Sequence, residues 1–149
     1  MGDCICKVSL RLWWEFTEIS PQDLSERLGL SAERAWAKGD QRMTPKGNLL
    51  SGKWDGSYWY CPLESCSIGV LSSTIEKHVS CLQLHDIFIR EFVERGGEFV
   101  MFVGFIGDGT FGFNLESKVV SMLASLGANL SIEVYSPIAE GLGSDDMKS

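Results

Sequence analysis

The chain has 149 residues, 44% of them hydrophobic, which suits a single domain with a sizeable core. Its 20 acidic and 13 basic residues give a formal net charge of −7. No basic cluster is visible in the sequence, which argues against nucleic acid as a partner because phosphate neutralisation drives that affinity. The acidic excess permits a cationic protein partner, or it serves only to keep the protein in solution.

The start of the chain lacks the basic segment and apolar core of a secretory signal. No apolar run is long enough to cross a bilayer. The five cysteines cannot all pair, which favours reduced thiols. We therefore expect a cytoplasmic protein that does not associate with membranes.

The first predicted element is a half-buried strand over residues 4–16, where apolar and polar side chains alternate. Trp13 is the exception on the polar face. A short helix over 21–28 follows, with Ser20 as its N-cap, proline at its first position and Gly29 at its end. This strand and helix form the first predicted unit.

The middle of the chain has a weaker pattern. Within residues 31–53 we predict a helical turn over 32–37 and then a long loop, of a length that is often functional. The aromatic segment 53–60 is predicted to be a strand, which Cys61 and Pro62 end.

A helical segment is predicted after this strand. Ser73 and Glu76 have the spacing of a capping box. The apolar stripe that follows runs to about Arg95 but slips near Leu84, so the segment is either one kinked helix or two helices.

The last predicted unit is strand–helix–strand. An apolar run over 99–106 predicts a buried strand, and residues 115–126 have helical spacing. Asn114 is the predicted N-cap of this helix and Gly127 its end. Alternation over 130–135 predicts the final strand.

Together these elements predict a single α+β domain over residues 4–137, with a flexible tail over 138–149. Its sheet is mixed or antiparallel and has about five strands, accompanied by about three helices. The first and last units both have a short helix that ends in Leu-Gly. Two interpretations stay open: two pseudo-repeated ferredoxin-like βαβ halves, or independent use of the same helix-ending chemistry.

The order and spacing of the elements resemble the bacterial family called domain of unknown function 4279. The likeness extends over roughly residues 6–135. It rests mainly on Leu28-Gly29, Gly39-Asp40, Trp54 and the closing Ile-Glu-Val-Tyr, in which Glu133 replaces the usual Asp. The resemblance implies a cytosolic bacterial protein with no established activity. Some small domains of this kind accompany toxins as immunity proteins.

A zinc site is the first chemistry to consider. Cys4, Cys6, Cys61 and Cys66 could supply four thiolates. Neither pair has CxxC spacing, and buried cysteines often act as small hydrophobic residues. We therefore predict no metal and no cofactor.

A glycine turn and the absence of a nucleophile motif bear on catalysis. Gly107, Gly109 and Gly112 match GxGxxG loosely, with Glu133 about 20 residues further on, as in dinucleotide sites. The lysine of a phosphate loop is missing, so we interpret the glycines as a structural turn. There is no GxSxG motif.

Aromatic residues are concentrated before residue 61, and exposed Trp and Tyr are typical of binding hot spots. If one face of the predicted strand packs on the core, it carries Trp54, Tyr58 and Tyr60. Other tryptophans are then left for a groove or interface. The candidate binding residues are Trp13, Trp36, Asp40, Arg42, Trp54, Asp55 and Trp59.

These features lead to two hypotheses. The first is a non-enzymatic protein-binding module, such as an acidic immunity protein that inhibits a basic toxin by surface complementarity. The second is a small-molecule-binding or enzymatic domain with its site in residues 36–60, where Asp40, Arg42 and Asp55 supply polar groups. A homodimer through an exposed sheet edge is a further alternative.

Overall fold

The computed structural model describes residues 4–135. The predicted domain end at residue 137 and the predicted tail over 138–149 lie outside the described residues. The described part is an α+β domain with three helical segments, one of which is divided by a 3-10 turn. Its elements are β1 (Ile5–Trp14), α1 (Pro21–Leu28), β2 (Arg34–Trp36), β3 (Gln41–Met43), β4 (Leu49–Lys53), β5 (Ser57–Ser67), α2 (Leu71–Leu82), α3 (Asp86–Glu94), β6 (Glu98–Ile106), α4 (Ser117–Leu126) and β7 (Asn129–Tyr135).

Five strands form one mixed sheet in the order β2-β5-β1-β6-β7. The central strand β1 is antiparallel to both of its neighbours, β5 and β6. β2 is antiparallel to β5, whereas β7 is parallel to β6. β3 and β4 form a separate two-stranded hairpin. The predicted fold class is confirmed.

The predicted strand–helix–strand unit at the end of the chain is β6–α4–β7, whose two strands are adjacent and parallel. The first unit, β1–α1–β2, is arranged differently because β5 lies between its two strands. The two units therefore share their order of elements but not their arrangement in the sheet.

The sheet has one covered face. Alternate side chains of β1 are buried, and they pack with buried residues of all four α-helices. α1 contributes Leu24 and Leu28 to this core, and α3 contributes Phe88 and Phe92. The helices therefore form a single layer, and we call the opposite side of the sheet the open face.

The start and end of α1 are as predicted. The backbone N–H of Asp23 donates to Ser20 Oγ at 3.1 Å, and the N–H of Ser20 donates to Asp23 Oδ2 at 2.9 Å. Gly29 ends the helix with a φ of 68°, which glycine adopts without a steric penalty. These reciprocal bonds satisfy two N–H groups that the helix itself cannot.

Two other predicted helix starts are wrong. α2 begins at Leu71, and Ser73 donates its hydroxyl to the Val70 carbonyl at 3.0 Å instead of capping a helix. α4 begins at Ser117 and not after Asn114, whose carbonyl accepts a hydrogen bond from Ser72. The bond of Ser73 is local, whereas that of Asn114 joins segments far apart in the sequence, which capping spacing does not report.

The predicted helical turn over 32–37 is wrong, because residues 34–36 are the edge strand β2. It pairs with residues 58–60 of β5. Part of the predicted loop is also ordered as the β3–β4 hairpin.

Pro62 does not end the aromatic strand. β5 continues to Ser67, and its register with β1 shifts between Val8 and Ser9, where Val8 faces Glu64 and Ser9 faces Pro62. Leu63 is therefore the extra residue of a β-bulge. Proline is tolerated at a bulge because it has no N–H to give to the ladder.

The segment that was predicted as one kinked helix or two is two helices, α2 and α3, with a 3-10 turn between them. No helix in residues 4–135 is long and apolar enough to span a membrane. The exposed edge strand β7 presents Ile132 and Val134 to solvent. The homodimer expected from such an edge stays a prediction.

The cysteines differ in accessibility. Cys6 is fully buried in the core, and desolvation raises the pKa of its thiol to about 12. Cys81 is exposed on α2. Since the thiolate is the reactive species, a buried thiol that stays protonated at neutral pH is unreactive.

We therefore predict that Ellman's reagent labels Cys81 rapidly in the native protein at neutral pH, whereas Cys6 reacts only as fast as the protein unfolds. Peptide mapping after timed labelling measures both rates. Cys81→Ser is the control and removes a fast-reacting site. Labelling of Cys6 as fast as Cys81 in folded protein would contradict the position of β1.

Candidate functional site

The open face is built by the side chains of β1 that do not enter the core. Arg11 and Trp13 lie on this face, opposite Tyr60 and Tyr58 of β5 respectively. Phe102 of β6 lies opposite Ser9, diagonally beside Arg11. The antiparallel register therefore places aromatic rings on both sides of an arginine.

One end of the open face is a connected group of four rings, which we call the aromatic stack: Trp13, Tyr58, Trp36 and Trp54. The rings of Trp13 and Tyr58 have centroids 5.3 Å apart, and those of Trp36 and Tyr58 are 4.6 Å apart. Trp36 and Trp54 are stacked at 3.7 Å with an angle of 11° between their planes. Tyr58 is buried, while 37% of the Trp13 surface is exposed.

The β3–β4 hairpin borders the aromatic stack through two arginines. The Arg34 guanidinium lies 4.8 Å from the Trp36 ring centroid, and Arg42 lies 5.2 Å from that of Trp54. Both also donate to hairpin carbonyls, Arg34 to Met43 at 3.0 Å and Arg42 to Ser51 at 3.2 Å. The bond from Arg34 ties the hairpin to the sheet, whereas the bond from Arg42 joins the two strands of the hairpin.

Arg11 occupies the middle of the open face. Its guanidinium carbon lies 3.9 Å from the Phe102 ring centroid and 5.1 Å from that of Tyr60. Its Nε atom is buried and has no hydrogen-bond partner among the described residues. Arg11 is thus held by two rings, and none of the described residues supplies a counter-charge.

A cleft of about 730 Å³ lies beside Arg11, over the bulge in β5. Its walls are largely apolar, with a few polar groups, as in many ligand sites. The residues that bear on its chemistry are Lys7, Ser9, Arg11, Glu33, Phe102 and Tyr135.

Five of the seven predicted binding residues come together. Trp13, Trp36 and Trp54 are members of the aromatic stack, and Arg42 lies over Trp54. Asp55 is exposed and lines a shallow depression together with Trp13. This grouping required contacts between segments far apart in the sequence.

Of the other two predicted residues, Asp40 lines a depression with Trp36 and Trp54, whereas Trp59 lies apart from this group. The Asp40 carboxylate accepts the backbone N–H of Ala37 at 2.9 Å, so it holds the turn before β3. Trp59 is fully buried and donates its indole N–H to Ser25 Oγ of α1 at 3.0 Å. The predicted faces of β5 are therefore reversed: Trp59 enters the core, whereas Tyr58 and Tyr60 lie on the open face.

Sequence reasoning missed Arg11, Tyr60 and Phe102. Arg11 belongs to the polar side of β1, next to Trp13, and that alternation was the available signal. Its two flanking rings come from strands remote in sequence, which no local pattern reports.

Basic residues are concentrated in one segment of the chain, which the expectation of no basic cluster missed. Residues 34–53 contain five of the thirteen basic residues and one of the twenty acidic residues. The basic members of this segment are Arg34, Lys38, Arg42, Lys46 and Lys53. The part of the chain beside the aromatic stack is therefore basic, and the acidic excess lies elsewhere.

Other candidate chemistries do not assemble. Among residues 4–135 no group of three or more His, Cys, Asp or Glu side chains is placed to hold a metal. Cys66 lies opposite Cys6, whereas Cys61 lies further along the sheet opposite Leu10. His78, on α2, has its Nε2 atom 2.9 Å from Oε1 of Glu64.

The glycine turn after β6 is packed rather than open. Phe111 and Phe113, which flank Gly112, have ring centroids 5.4 and 5.6 Å from that of Phe105. Glu116 occupies the N-cap of α4, where a bound phosphate would meet a carboxylate. The turn is consistent with the structural role predicted for it.

The family model of a domain of unknown function, DUF4279, matches residues 5–137. The chain belongs to this family. The comparison with curated proteins and the comparison with solved structures found no match. Membership in DUF4279 confirms the resemblance inferred from the sequence, and the match extends over the whole sheet, including the open face.

We predict that the stacked pair of Trp36 and Trp54 gives an exciton couplet in the far-ultraviolet circular dichroism spectrum. Trp54→Ala removes the couplet and lowers the free energy of unfolding by at least about 0.5–1.5 kcal/mol, the contribution of an aromatic pair. Trp13→Ala is the matched control and leaves the couplet in place. A couplet that survives in Trp54→Ala would show that the two rings are not stacked.

Proposed function

We propose that this DUF4279 protein is a non-enzymatic protein-binding module whose interface is the open face of the sheet. The observation that carries the proposal is the concentration of Trp, Tyr and Arg side chains on a sheet face that none of the helices in residues 4–135 covers. These three residue types are the ones enriched at interface hot spots. A five-stranded sheet supports them rigidly, which limits the entropy lost on binding.

The positions of the histidines also favour binding. Both histidines of the chain, His78 and His85, lie in the helical segment between β5 and β6, on the other side of the sheet. Histidine is the commonest general acid or base. The open face offers mainly aromatic rings and guanidinium groups, with Lys7 and Glu33 at the cleft.

We propose that the biological role of this binding module is inhibition, as in an immunity protein that covers the active surface of a protein toxin. The five unpaired cysteines are compatible with a cytoplasmic location, where thiols stay reduced. The charge distribution refines the partner proposal. A basic partner complements the net charge of −7, but a partner that docks beside residues 34–53 requires an acidic patch.

The first test compares three immobilised proteins in capture experiments from the native host: wild type, Trp13→Ala, and Leu84→Ala as a matched control. Leu84 is 82% exposed on the helix layer. We expect a protein that wild type and Leu84→Ala retain and that Trp13→Ala loses, with affinity for the purified partner reduced by about tenfold or more. Identical capture by all three proteins, or none by wild type, would contradict the proposal.

The charge of the partner is tested by two reversals, Lys53→Glu beside the aromatic stack and Glu91→Lys on α3. Both side chains are exposed. For an acidic patch on the partner, Lys53→Glu slows association, most strongly at low salt, and Glu91→Lys has no such effect. The opposite pattern would show a basic partner on the helix layer and would rule out the open face as the interface.

A further inference from the structure

The cleft beside Arg11 holds an arginine whose charge is not balanced by any residue in the described part of the chain. Arg11 has contacts to two rings, but no ion pair and no hydrogen bond from its guanidinium to any described residue. A partly buried charge without a partner costs free energy, and such groups are usually paired or hydrogen-bonded. An anionic ligand would supply the missing partner.

The two carboxylates that line the cleft do not fill this role. Glu64 lines the cleft, but its carboxylate contacts Lys77 at 2.6 Å and His78 at 2.9 Å on α2. The hydrogen bonds from Lys77 and His78 lower the pKa of Glu64, so it stays ionised and committed to the helix layer. Glu33 is exposed at the rim and makes no ion pair with Arg11 among the described residues.

The charges around the cleft favour a single negative charge on the ligand. Lys7 and Arg11 are the cations that line it, and Glu33 is the carboxylate that is not committed elsewhere. One carboxylate balances the resulting excess of one positive charge, whereas a phosphate monoester brings about −1.5 to −2. The planar guanidinium also matches a carboxylate in two parallel hydrogen bonds.

The walls of the cleft favour an apolar body on that ligand. Phe102, Ile106, Pro62 and Leu63 line the space next to the charged groups. The volume of about 730 Å³ is in the range of sites for small organic molecules. Apolar walls with few polar groups are typical of sites that fix one charged group and bury the rest of a ligand.

We propose that the cleft is a recognition site for a carboxylate on an apolar body, with Arg11 as the residue that binds the carboxylate. The carboxylate comes either from a free small acid or from the end of a protein chain. This inference goes beyond protein binding by the aromatic stack and does not depend on it, because Arg11 and Phe102 are not members of the stack.

The test uses the purified full chain with phenylacetate, its neutral analogue phenylacetamide, and inorganic phosphate. We expect phenylacetate to shift the NMR signal of the Arg11 Nε–H and to raise the thermal midpoint. Phenylacetamide is expected to bind at least about tenfold more weakly than phenylacetate, because a hydrogen bond to a charged group contributes roughly 1.5–3 kcal/mol. Acetate and octanoate are tested in the same way as phenylacetate, so that the result does not depend on the apolar group of one acid.

Variants identify the residue responsible. Arg11→Met removes the charge and abolishes the preference for the carboxylate, whereas Arg90→Met, on the exposed face of α3, leaves it unchanged. Arg11→Lys keeps the positive charge but removes the planar guanidinium that makes two parallel hydrogen bonds to a carboxylate. It weakens the binding of phenylacetate by about tenfold. This second variant keeps the test decisive if the methionine variant does not fold.

The outcomes that overturn the proposal are equally specific. They are equal binding of acid and amide, unchanged binding in Arg11→Lys, no binding of any of the three acids, or tighter binding of phosphate. The peptide Gly-Gly-Phe with a free or an amidated C-terminus distinguishes the sources. Binding of the free form alone supports a chain end, and binding of phenylacetate but not of the peptide supports a small acid.

Discussion

The antiparallel pairing of β1 with both β5 and β6 is the constraint on which the rest of this structure depends. Side chains of a strand alternate between two faces, so burial of Leu10, Leu12 and Trp14 under the helices places Arg11 and Trp13 on the other side. A register shift of one residue would exchange the two sets. The hydrophobic core and the open face are therefore two consequences of the same pairing.

The elements predicted correctly are those whose signals are local. The alternation of β1, the N-cap Ser20 and terminal Gly29 of α1, and the strand–helix–strand unit at the end all depend on nearby residues. Those predicted wrongly depend on remote partners. β2 is a strand because it pairs with β5, and β5 continues past Pro62 because a bulge against β1 accommodates the proline.

The candidate site divides in the same way. An aromatic-rich segment pointed to Trp36 and Trp54, and an exception in the alternation of β1 pointed to Trp13. Trp59 was assigned to the wrong face, because periodicity alone does not say which side of a strand meets the core. Arg11 was missed because its environment is created by rings from two other strands. The net charge of −7 likewise does not report the local distribution of charge, because the segment beside the aromatic stack is basic.

The division of the sheet into a covered and an open face is tested most directly by the five tryptophan indole N–H signals in an NMR spectrum with a soluble paramagnetic probe. The indoles of Trp14 and Trp59 are buried and donate to Ile19 O and Ser25 Oγ, so their signals stay sharp. The exposed ring of Trp13 on the open face is broadened. Broadening of Trp59 together with protection of Trp13 would mean that β1 and β5 present the opposite faces, and it would contradict both proposed sites.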